Sequence, residues 1–187
     1  MKKIILASAS PRRKELMNLT KLPFVIKVSD ADETLTENIT PDKAVEILSR
    51  RKAEAVNTND TNTIIIGADT VVAINSVILG KPNSKDDAKR ILRLLSGNVH
   101  QVYTGVTIIC GETIDTFNVK TDVEFYPLTE KEIEEYTSFE ECYDKAGAYG
   151  IQGMGGLFVK KITGDYNNVV GLPVAEVYRK LKELILD

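Results

Sequence analysis

Two strand-forming stretches, Val99 to Cys110 and Thr113 to Phe125, are separated only by Gly111-Glu112. So short a connection cannot carry the chain back across a parallel crossover, so the two stretches must form an antiparallel hairpin. The rest of the chain mixes strand and helix signals. Ile4–Leu6 and Phe24–Val28 read as short strands, and Ser10-Pro11 opens a helix to about Leu19. Thr40-Pro41 repeats that cap-plus-proline signature for a helix to about Val56, with Val45, Leu48, Lys52 and Ala55 facing the core. Ser84 and Asp87 read as a capping box for a helix ending at Gly97, its apolar face made by Ala88, Ile91, Leu92 and Leu95. Thr129 and Glu132 cap another, a strand runs from Leu157 to Ile162, and a last helix carries Val174, Val177, Leu181 and Leu184 on one side. The elements do not alternate strictly. An α/β fold on a mixed sheet, in one domain spanning residues 1–187, is the expectation.

The bulk numbers narrow the function classes. A chain of 187 residues with 43% hydrophobic side chains can bury a substantial core. No run approaches the ~18 apolar residues of a membrane span, and Met1-Lys2-Lys3 is followed by too short an apolar stretch for a signal peptide, which points to the cytoplasm. Cys110 and Cys142 stand apart with no CxxC, which favours small apolar filler over a zinc or disulfide site. A net charge of -3, no tryptophan and 6% aromatics argue against a general nucleic-acid binder. The single histidine, His100, cannot build a metal cluster and reads as structural or surface.

Against this background, a few charges stand out. Arg12 and Arg13 fall in the first turn of a helix, where the macrodipole is already positive and an acidic residue would be favoured, so an anion is expected nearby. Asp69 sits inside the apolar run "IIIGADTVVAI", where an unpaired carboxylate would cost several kcal/mol. From this segment alone, a functional carboxylate, a structural salt bridge and a turn cap through Asp69 and Thr70 remain open. Lys52 occupies a core-facing helical position and needs an anion, unless its head snorkels to water. Lys81 in "ILGKPNS" and Glu33 in "DADET" suit ligand-facing loops and solvated turns equally. Together they suggest one ligand class. Arg12, Arg13, Lys52 and Lys81 offer cations to phosphate oxygens, and Asp69 and Glu33 offer hard oxygens to a magnesium-like ion. Neither GxxxxGK[ST] nor a helix-opening GxGxxG is present. The glycine-rich segment 147–156 could admit a flat base or simply turn, and Gln152 carries the amide suited to a nucleobase edge.

The segments "SASPRRKEL", "GADTVV", "GKP", "HQVYTGV", "DKAGAYGIQG" and "NVVGLP" occur in an order that resembles the Maf family of nucleoside triphosphate pyrophosphatases, and they span nearly the whole chain. The resemblance implies an inosine triphosphate pyrophosphatase-like (Maf/Ham-like) mixed sheet flanked by helices, with an active-site cleft. It implies a cytoplasmic enzyme, dependent on Mg2+ or Mn2+, that splits a nucleoside triphosphate into monophosphate and pyrophosphate. The "DKAGAYGIQG" version resembles the branch acting on dTTP and UTP. Carried over by motif, Asp69 resembles the general base, and Arg12, Thr70 and Gln152 resemble the substrate-discriminating positions. Ser8, Arg13, Glu33, Lys52 and Lys81 are similar to the other active-site residues. Asp69 and Glu33 would be the metal ligands. A homodimer is the oligomer suggested, with no nucleic-acid or membrane partner. The alternative is a nucleotide-binding regulator of septum formation that acts through protein partners without hydrolysis. Glu140 and Glu141, in "SFEECY", have no role that the resemblance assigns.

Overall fold

The computed structural model describes residues 2–36, 38–58 and 60–186, with residue 186 described by its backbone alone. The elements in chain order are β1 (Lys3–Ala7), α1 (Pro11–Asn18), β2 (Phe24–Ile26), α2 (Pro41–Glu54), β3 (Thr63–Ile74), β4 (Val77–Leu79), α3 (Lys85–Leu95), β5 (Val99–Cys110), β6 (Thr113–Phe125), α4 (Glu130–Tyr136), β7 (Val159–Thr163), α5 (Tyr166–Val170) and α6 (Val174–Leu186). The sheet runs β2-β1-β3-β5-β6-β7, and β4 pairs with the far end of β3. Strands β1 and β2 are parallel to each other and β1 is parallel to β3, whereas β3, β5, β6 and β7 pair antiparallel. The expected mixed α/β sheet is present, and the hairpin keeps the bounds expected from sequence, turning where Gly111 adopts φ +58.

Helices cover both faces. On one face α2 lies against β3 and β5 at two glycines: a Cβ on Gly67 would sit 2.3 Å from the Ser49 carbonyl oxygen, and one on Gly105 would sit 2.2 Å from that of Val45. On the other, α1 and α6 bury Leu16, Met17, Val177 and Leu181 against Ile4, Ile66 and Val106. A further cluster gathers α3 and α4 around Leu92, Val123, Phe125 and Tyr136. The apolar stripe of α3 is buried as expected, at Ala88, Ile91, Leu92 and Leu95.

An opening in this layer follows from register. Ala7 pairs with Gly67 and Leu79 with Val72, so along that edge of β3 the ladder skips residues 68–71. The strand is continuous through Asp69 because its other edge is paired, Asp69 lying opposite Gly105 and Thr70 opposite Thr104. Side-chain alternation then sends Asp69 toward α2 and Thr70 toward the opposite face.

Several local expectations give way to packing. Helix α2 stops at Glu54, so Ala53 is buried and Ala55 exposed, and Thr40 makes no side-chain cap despite Pro41 in the first turn. Asp87 accepts from the backbone N–H of Asn83 instead of closing a box onto Ser84, although the Ser84 hydroxyl accepts from the Asp87 N–H at 3.1 Å. Strand β2 ends at Ile26. Leu157 and Phe158 belong to a 3-10 turn before β7, and α5, capped by Asp165, carried no sequence signal of its own.

Candidate active site

The gap in the sheet opens into a cleft of about 1070 Å3 lined, among others, by Ser8, Arg12, Arg13, Glu33, Lys52, Asp69, Thr70, Lys81 and Gln152. All nine residues singled out from sequence meet there. A shallower hollow of about 400 Å3 beside β2, lined by Lys14, Leu22, Phe24 and Ile26, contains none of them.

Lys52 is the hub of the charged end. It sits in the last turn of α2, where the helix dipole favours a cation, and its Nζ lies 2.5 Å from Asp69 Oδ1 and 2.7 Å from Glu33 Oε1. The side chains of Lys52 and Asp69 are 14% and 13% exposed, so each removes the cost of leaving the other uncompensated. Glu33 is 65% exposed. Its carboxyl is held below the usual range, chiefly by the hydrogen bond from Lys52; burial opposes this, and the charges of Lys52, Lys81 and Arg13 add to the lowering. Arg51 anchors the loop around Glu33, donating to the carbonyls of Asp32 at 3.1 Å and Thr34 at 2.6 Å.

The two arginines that open α1 take different roles. Ser10 caps the helix, accepting from the Arg13 N–H at 3.4 Å. The Arg13 guanidinium donates to the Gly171 carbonyl at 2.8 Å, the Thr70 hydroxyl at 3.0 Å and the Ser8 hydroxyl at 3.4 Å. It thereby ties the β1–α1 turn to β3 and to the end of α5. Burial lowers the Arg13 pKa and Asp69 opposes that shift, but a guanidinium remains charged. Arg12 is 36% exposed, and Asp144 lies 4.0 Å away. Thr70 also shares a hydrogen bond with Thr104 at 2.9 Å. Lys81 is exposed in the loop after β4.

At the other end, the wall is made of 3-10 turns over Glu140–Cys142, Ala146–Ala148 and Met154–Phe158. Gln152 is exposed there, and Glu141, Asp144 and Lys145 also line the cleft. Sequence patterning missed these last three because no helical or strand period runs through them. Lys145 bonds Asp144 at 2.5 Å and the Glu141 carbonyl at 2.8 Å.

Among the described residues no cluster of three or more His, Cys, Asp or Glu side chains could hold a metal by itself. Asp69 and Glu33 do converge on one ammonium. That donor set suits a magnesium-like ion whose remaining ligands are water and phosphate oxygens, which is how such ions are held alongside nucleotides. His100 stands outside the cleft, buried, with its Nε2 2.8 Å from the Tyr149 hydroxyl, so it is structural. Cys142 is buried and Cys110 partly so. No described helix is long and apolar enough to cross a membrane.

Comparison with known proteins gives a consistent picture. Residues 3–184 match the family described as Maf-like protein. Proteins named dTTP/UTP pyrophosphatase from Bacillus cereus and Bacillus mycoides are each 52% identical over 187 residues, covering all of this chain and 98% of their own length. One of the same name from Bacillus anthracis is 51% identical over the same span. Among solved structures, the Staphylococcus aureus Ham1 protein superposes with a TM-score of 0.46 and 16% identity, covering 66% of this chain and 72% of that one.

Proposed function

Because this chain belongs to the Maf-like protein family, we propose that it hydrolyses nucleoside triphosphates, dTTP and UTP foremost, to the monophosphate and pyrophosphate. The observation that carries the reading is the placement of Asp69. A carboxylate lies in the gap of the ladder at residues 68–71, facing a cleft with Lys52 at 2.5 Å and with Arg12 and Lys81 in the same walls. Such an arrangement serves a reaction in which water attacks phosphorus and negative charge builds on a leaving pyrophosphate.

In this mechanism Asp69 orients the attacking water and takes its proton on a carboxylate oxygen. Lys52 trades its carboxylate partners for phosphate oxygens when the triphosphate enters. Lys81 and Arg12 hold the β and γ phosphates, fixing the α phosphorus for in-line attack. Arg13 acts through Ser8 and Thr70, keeping the β1–α1 turn at its distance from β3. Gln152 meets the base. A divalent cation arriving with the nucleotide would be held by Asp69 and Glu33 and would supply charge neutralisation at the phosphates. We further propose a cytoplasmic homodimer acting on free nucleotides, with no nucleic-acid or membrane partner.

The test is pyrophosphate release from a panel of ribo- and deoxyribonucleoside triphosphates, with and without magnesium or manganese. Turnover of dTTP and UTP ahead of the purine nucleotides, dependent on the cation, is the expected result. Nucleotide-dependent thermal stabilisation without pyrophosphate release would instead make the chain a binding regulator.

A further inference from the structure

Gln152 sits at the tip of a tight turn, closed by the Gly153 N–H donating to the Gly150 carbonyl at 3.3 Å. Both arms of that turn are fastened to one carboxylate. On the far side, Glu141 accepts from the Met154 N–H through Oε2 at 3.2 Å and from the Gly155 N–H through Oε1 at 3.3 Å. On the near side, the Gly150 N–H donates to the Tyr136 hydroxyl at 3.3 Å, and that hydroxyl donates to Glu141 Oε1 at 3.1 Å. Burial and the neighbouring carboxylate both hold the Tyr136 phenol in its protonated, donating form.

The fit leaves no slack. A Cβ on Gly153 would lie 2.4 Å from Glu141 Oε2, and one on Gly150 would lie 3.1 Å from Oε1 and 2.8 Å from Lys145 Cε. Gly153 has φ -108, which any residue adopts, so its lack of a side chain answers to Glu141 and not to backbone strain. A carboxylate that accepts two hydrogen bonds from a turn it does not belong to, and a third from the hydroxyl that holds the turn's other arm, fixes where that turn sits.

We propose that Glu141 is a positioning residue for nucleobase discrimination: by gripping both arms of the Gly150–Gly155 turn, it holds the Gln152 amide in one orientation toward the pyrimidine. The inference rests on the pyrophosphatase reading of this cleft. Its chemical basis is the 4-position of the ring, where uracil and thymine offer an acceptor and cytosine a donor. A glutamine amide carries one donor end and one acceptor end on the same planar group. Free to turn over, it satisfies either base; held one way, it satisfies only one. Discrimination therefore depends on the rigidity of the turn, and the turn takes its rigidity from Glu141.

The experiment is steady-state kinetics of the full chain on dTTP, UTP and dCTP for the native protein, Glu141→Gln, Glu141→Asp and Gly153→Ala, with melting curves as a check on folding. In Glu141→Gln, an amide NH2 opposes a backbone N–H. The expected result is a rise of about tenfold in KM for dTTP, kcat within about threefold of native, and a loss of about tenfold in the kcat/KM preference for dTTP over dCTP. Glu141→Asp keeps both acceptor oxygens and should recover part of the preference. Gly153→Ala pushes the turn from the other side and should lose it; if Glu141→Gln does not fold, this variant decides. A preference unchanged in the folded variants, or a loss confined to kcat, overturns the inference while leaving the proposed function intact. A native protein that turns over none of the three nucleotides overturns both.

Discussion

At one end of the cleft the polar atoms belong to charged side chains projected from regular elements, Lys52 from α2, Asp69 from β3 and Arg12 from α1. At the other they are main-chain N–H groups of residues 150–155, gathered on Tyr136 and Glu141. The charged end can shift partners without shifting backbone, because ammonium and guanidinium groups move on flexible stems. The glycine end can change only by moving the chain itself. A triphosphate tail, flexible and highly charged, suits the first; a flat base with fixed donors and acceptors suits the second. Binding strength and choice of substrate are thus assigned to physically different materials.

The largest expected effect tests whether chemistry belongs wholly to the charged end. Asp69→Asn keeps the shape of the side chain but removes its ability to take a proton, and Lys52 retains Glu33 at 2.7 Å. Turnover should fall by about a thousandfold, with little change in the dissociation constant of a non-hydrolysable triphosphate measured by calorimetry. A fall of less than about tenfold would take Asp69 out of the base role.

A second prediction probes the support behind the glycine end. Tyr149, in the cleft wall, is hydrogen-bonded to His100 and stacks edge-to-face with it, ring centroids 5.4 Å apart. Burial lowers the His100 pKa from 6.5 to about 4, so the imidazole is neutral in the folded protein at neutral pH. The unfolded chain takes up that proton near 6.5, so this contribution is fully present above pH 6.5 and is lost as pH falls toward 4. The loss amounts to about 3 kcal/mol. Glu33, whose pKa is depressed, keeps its full contribution above the ordinary carboxylate range and loses it as pH falls through that range toward its own lower pKa. Between pH 6.5 and 5 the slope of stability against pH, read from urea melts, should therefore be reduced in His100→Gln and unaffected in Glu33→Gln.

The same division explains what could be read from sequence. Strand β3 and the hairpin β5–β6 announce themselves by composition, and Asp69 and Lys52 stand out because each puts a charge where the pattern asks for an apolar residue. Misfit is a readable signal. Glu141 breaks no pattern, because it lies in 3-10 turns with no period to violate, and its partners are backbone groups that every residue carries. Arg51, an ordinary charged residue near the end of α2, likewise gave no hint that it clasps the Glu33 loop through two carbonyls. The gap at residues 68–71 was invisible for a third reason: it results from the registers of β1 and β4 against β3, and register is set by long-range pairing.

The smallest effects separate the adjacent arginines, which sequence treats alike. Arg13→Ala removes three hydrogen bonds and leaves the Gly171 carbonyl without its guanidinium donor, so the ligand-free protein should lose about 2 kcal/mol. Arg12→Glu introduces an acid into the first turn of α1, which the dipole favours by tenths of a kcal/mol. It also sets that acid beside Asp144, currently 4.0 Å from the arginine, and the like-charge repulsion offsets the gain. Net stability of the ligand-free Arg12→Glu protein, measured by denaturant titration, should stay within about 0.5 kcal/mol of native while pyrophosphate release collapses. A loss as large as that of Arg13→Ala would mean that Arg12, too, is committed to holding the fold, and that the phosphate tail is gripped from α2 and the β4 loop alone.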